Sequence, residues 1–63
     1  MESDRAELSA LATTLDDLTR RITAAADRFA GTSRVDVADS LYEVERSLLT
    51  AARKLDRVER SLR

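Results

Sequence analysis

The sequence predicts an all-α fold: an antiparallel hairpin of two long helices, expected to dimerise into a four-helix, coiled-coil-like bundle. Three observations carry this. Two stretches space their apolar residues alternately three and four apart, a single glycine stands between them, and the heptad phase on one side does not continue into the other. The chain has 63 residues and begins with Met1, so it is expected to be one complete small domain, near the lower size limit for folding alone.

The first helix is expected over about 3–30. Leu8, Leu15, Ile22 and Phe29 fall at heptad position a, and Leu11, Leu18 and Ala25 fall at d. Ala12, Thr19 and Ala26 at e keep that flank small, so another helix could come close. Ser3 reads as the N-cap, with Asp4 and Glu7 in the first turn favouring the positive end of the helix dipole.

A loop is expected over about 31–35. Gly31 suits the left-handed residue that closes the first helix, and Ser33 or Asp36 reads as the cap of the second. One unbroken helix is the competing fold, since a mid-helix glycine costs only about 1 kcal/mol. Phase decides against it, because continuing the first register puts Val37 at b and Leu41 at f. The two apolar stripes would then face different directions.

The second helix is expected over about 36–62. Leu41, Leu48, Leu55 and Leu62 occupy a, and Val37, Val44, Ala51 and Val58 occupy d. Tyr42 and Leu49 add successive b positions, so the apolar arc is wider than one seam and fits a helix touching two neighbours. Two helices touching along one seam bury little, which is why a second hairpin is expected to complete the core. The expected self-association seam is Leu8, Leu11, Leu15, Leu18, Ile22 and Phe29 with Leu41, Val44, Leu48, Leu55, Val58 and Leu62. Residues 1–17 carry Glu2, Asp4, Glu7, Asp16 and Asp17 against Arg5, and residues 46–63 carry five arginines and Lys54 against Asp56 and Glu59. A hairpin would set these acidic and basic stretches side by side, although each helix also obeys the dipole rule separately.

Composition removes most chemistry. With no cysteine and no histidine there is no thiolate nucleophile, no disulfide and none of the usual zinc sets. With one glycine and no proline there is no Gly-rich phosphate cradle. Asp16–Asp17 and Glu43/Glu45 do not share a helix face, so neither makes a paired acid–base site. No serine has a histidine to activate it. Helical enzymes that work by electrostatics bury arginines, yet no Arg or Lys falls at a or d within either stripe. The expectation is therefore no catalysis, no cofactor and no metal. Charged residues make up 37% of the chain with a net charge of only −1, which suits solvated helix faces. Arginine outnumbers lysine ten to one, and Asn and Gln are absent. That balance reads as the codon usage of a GC-rich bacterial genome rather than an arginine-specific function. No apolar run of membrane-spanning length and no leader pattern occurs, so the default expectation is a cytoplasmic protein with no membrane partner.

Two surface features could carry contact with other molecules. Tyr42 and Leu49 either complete the homodimer core or receive another helical protein. Arg46, Arg53 and Arg60 at f, with Arg57 at c, form a basic ridge on the second helix. The ridge is first of all a solvated face with pairs Glu43–Arg46, Arg53–Asp56, Asp56–Arg60 and Glu59–Arg63. Its functional alternative is binding of nucleic acid or an anionic nucleotide, which the interspersed carboxylates and the lack of interleaved aromatics disfavour. The sequence thus reads as a small, non-enzymatic, self-associating helical protein that acts through protein–protein interaction, as an adaptor, assembly factor or small regulator.

Overall fold

A computed structural model describes residues 2–62. They form two helices, α1 (Glu2–Ala30) and α2 (Val35–Ser61), which pack antiparallel through a four-residue turn. Among the described residues there is no strand. The Cα envelope measures 49 × 15 × 9 Å, one helix layer thick.

Helix ends differ from the sequence expectation by about one residue. Ser3 lies inside the first turn of α1 rather than capping it. At the turn, no residue has a positive φ, so Gly31 is not the left-handed terminator expected of it. The reversal is tied down by Thr32 instead. Its amide and its hydroxyl both donate to the Phe29 carbonyl (3.0 and 2.7 Å), and its Oγ1 accepts the Arg34 amide (3.0 Å). Neither Ser33 nor Asp36 caps α2. Arg34 holds the N-cap place without a side-chain cap bond, and its guanidinium grips Asp36 through two 3.1 Å contacts. That charge-assisted pairing holds the Asp36 carboxyl below its ordinary value.

Gly31 is therefore replaceable. A Cβ there would meet only the Arg28 carbonyl oxygen, at an ordinary 3.6 Å. Gly31→Ala should raise stability by about 0.4–1 kcal/mol through the unfolded chain. A thermal melt followed by circular dichroism should show this as a rise of a few degrees, and a fall in Tm would contradict it.

Packing splits the expected seam in two. The hairpin closes along a and e, not along a and d. On α1 the covered a and e side chains are Leu8, Ala12, Leu15, Thr19, Ile22 and Ala26, and on α2 they are Ala38, Leu41, Glu45, Leu48, Ala52, Leu55 and Glu59; Thr23, Ala25, Val37, Tyr42 and Asp56 are half-covered at the flanks. Ala26 and Ala38 are the most deeply buried, at 0% and 1% exposed, and Thr19 follows at 8%. Small residues at e let the backbones approach, and close packing follows the smallest side chains rather than the largest. The Thr19 hydroxyl turns back to the Leu15 carbonyl (2.8 Å), so its burial leaves no unmet donor. Phe29 and Leu62, the outermost a residues, stay more than a third exposed at the two ends.

Candidate interaction surfaces

Successive residues turn about 100° around a helix, so with a and e inside, d falls on one flank and b on the other. Reversing chain direction reverses the sense of rotation, and facing the partner reverses it again. The d rows of both helices therefore land on the same side of the hairpin, and both b rows land on the other.

On the d side stand Leu11, Leu18, Val44 and Val58, exposed by 49, 42, 42 and 48%. Small Ala25 and Ala51 lie between them. No hydrogen bond or ion pair joins the two helices across this side among the described residues. We call it the open face. These four residues belong to the expected self-association seam, and within the single hairpin they stand outside the line of closure. Covering roughly half of each side chain would contribute on the order of 1 kcal/mol apiece.

The b side is polar and cross-linked. The Thr23 hydroxyl donates to the Glu45 carboxylate, and the Tyr42 hydroxyl donates to Asp27 Oδ1 at 2.6 Å. The ion pairs Asp16–Arg20 and Asp56–Arg60 lie along the same side. Two large apolar residues of the b row are exposed there, Leu49 (44%) and, at the start of α2, Val35 (52%). Tyr42 and Leu49 thus share a surface, as their spacing implied, but it faces away from the open face. The Tyr42 hydroxyl finds its partner in Asp27, a pairing set by the hairpin register.

Asp27 accepting the phenol proton raises the Tyr42 pKa above its ordinary value, with burial and the nearby carboxylates of Asp27, Glu45 and Asp39 adding to the shift. For a group raised in the folded state, the stabilisation is present below the unfolded pKa near 10 and lost as pH climbs through the folded one. Tyr42 is the only tyrosine, so its phenolate absorbance reports one site. The titration should lie above that of free tyrosine and return toward it in Asp27→Asn; coincident curves would refute the bond.

The basic ridge is only partly paired. Of its expected ion pairs, Asp56–Arg60 forms, whereas Arg53 turns to the Thr50 hydroxyl at 3.3 Å. Neither Glu43–Arg46 nor Arg53–Asp56 forms, and Glu59–Arg63 lies outside the described residues. Arg53, Arg57 and Arg60 border a shallow depression with Ala52 and Asp56, while Arg46 lies a turn or more away beside Glu43. The acidic start of α1 does lie beside the basic end of α2, where Glu2, Arg5 and Ser9 surround one depression with Glu59. Yet every ion pair among the described residues is local in sequence, and none joins α1 to α2.

Among the described residues no three Asp or Glu side chains converge as a metal-ligand group, and neither helix is long and apolar enough to cross a membrane. Comparison with known proteins finds no matching family model, no matching curated protein and no matching solved structure.

Proposed function

We propose that this is a non-enzymatic, self-associating helical protein that acts through protein–protein contact, as an adaptor, assembly factor or small regulator. One observation carries the reading: the hairpin buries Ala26, Ala38 and Thr19 most deeply while leaving four Leu and Val side chains, two on each helix, 42–49% exposed on one side. A contiguous apolar row of this kind marks an interaction site. A single helix layer has no second layer to cover it. The cross-helix hydrogen bonds gather on the opposite side, and charge on the open face is confined to its α1 start at Asp4 and to its rims.

The test is the mass of the full chain in solution. Light scattering at micromolar concentration should give a multiple of the chain mass, and the association should persist in high salt because apolar burial drives it. A monomeric mass with full helicity would remove the proposal.

The second reading is anion binding along α2. It is favoured by Arg46 and Arg57, which have no carboxylate within ion-pair distance among the described residues. Binding of duplex DNA or inorganic phosphate should then fall steeply with salt and vanish in the Arg53→Glu/Arg60→Glu double variant. Salt-independent association untouched by that variant leaves the protein–protein reading alone.

A further inference from the structure

We infer that a second copy of the chain occupies the open face, hairpin against hairpin about a two-fold axis, and that the Tyr42–Leu49 side stays outward in the dimer. The inference rests on the self-association reading above and names which surface carries it.

Size fits first. The layer is 49 Å by 15 Å, a face of roughly 700 Å². That is close to the ~800 Å² that each partner contributes to a stable interface of standard size. Shape fits next. A two-fold axis parallel to the helices leaves every residue at its own level, so the hairpin's antiparallel register is reused between copies. The Leu11, Leu18 and Ala25 row of one copy then faces the Val37, Val44, Ala51 and Val58 row of the other. Larger side chains meet smaller ones, as interdigitating layers require. The row just outside the face on α2 is Ser40, Ser47, Lys54 and Ser61, mostly short side chains that allow close approach.

Charge also fits a copy of this chain. The α1 rim carries Glu7, Arg21 and Arg28, and the α2 rim carries Lys54. With the turns at the same end, Glu7 lies on the rim that runs beside the Lys54 rim of the second copy. With the turns at opposite ends it comes level with Arg28 of the second copy. Either two-fold sets acid against base, so the face complements itself. The other side is a poor alternative. Its two ion pairs and two cross-helix hydrogen bonds would have to give up water.

The experiment mixes isotope-labelled and unlabelled wild-type chains and records cross-chain contacts by filtered nuclear Overhauser spectroscopy. Contacts are expected from the methyls of Leu11, Leu18, Val44 and Val58, and none from Leu49. In parallel, Leu18→Ser/Val44→Ser should weaken the dimer at least tenfold, while Leu49→Ser leaves it unchanged. Because the labelled chains are wild type, a misfolded variant does not stall the test. A multimer whose cross-chain contacts centre on Leu49 and Tyr42 overturns this inference and leaves self-association standing. A monomeric wild type overturns both.

Discussion

Leu48→Glu should abolish the folded helices rather than trim them. Leu48 sits half-buried midway along α2 in the covered a row. Truncating a buried leucine already costs about 2–5 kcal/mol, and a carboxylate there adds a desolvation penalty. A core this small supplies only about 3–5 kcal/mol in total. Isolated helices are weak in water, so losing the seam loses α1 and α2 together. Circular dichroism should report a largely unfolded chain at room temperature, and light scattering a monomer. Leu48→Met keeps the volume and should cost under about 1.5 kcal/mol. A Leu48→Glu chain that keeps its full helical signal would mean the a row is not the core.

Ala26→Leu is the opposite insult, with an expected cost of about 1–3 kcal/mol or more. Ala26 has no exposed surface, and Ala38 on α2 is 1% exposed. A leucine there has no cavity to enter and must push the backbones apart beside the turn, where four residues allow little give. The matched control is Ala24→Leu, two residues away on the exposed outer side of α1, where the change should be near neutral. Thermal melts of both variants decide the matter. Equal Tm values would refute the e-row seam and restore a and d as the line of contact.

The heptad spacing made both helices legible, and the phase break across Gly31 located the reversal to within about a residue. It left the choice of seam undecided because Leu11, Leu18, Val44 and Val58 outweigh Ala12, Ala26, Ala38 and Ala52 in any hydrophobic count. Contact distance reverses that ranking, since two helices approach where side chains are smallest. The pointer was present in the small e residues of the first stretch, and Ala38 and Ala52 repeat it in the second. At the turn, a glycine beside two hydroxyl residues drew the reading toward Gly31 and Ser33. The deciding feature, a threonine bonded on both sides, depends on backbone angles that composition does not encode. The Tyr42–Asp27 bond lay out of reach for a related reason: its partner is set by register between helices rather than by spacing within one.

The short turn also orders events in time. Ala26 and Ala38 are only twelve residues apart along the chain, whereas Leu8 and Leu55, level with each other at the far end, are 47 apart. Contacts that close small loops form first, because their closure loses the least chain entropy. The hairpin should therefore zip from Thr32 outward. Backbone amides of residues 19–26 and 38–45 should be the slowest to exchange with solvent, with protection fading toward Glu2 and Leu62. The chain is built as a fastener hinged at one end: it begins to close where its side chains are smallest and finishes where its charges are densest.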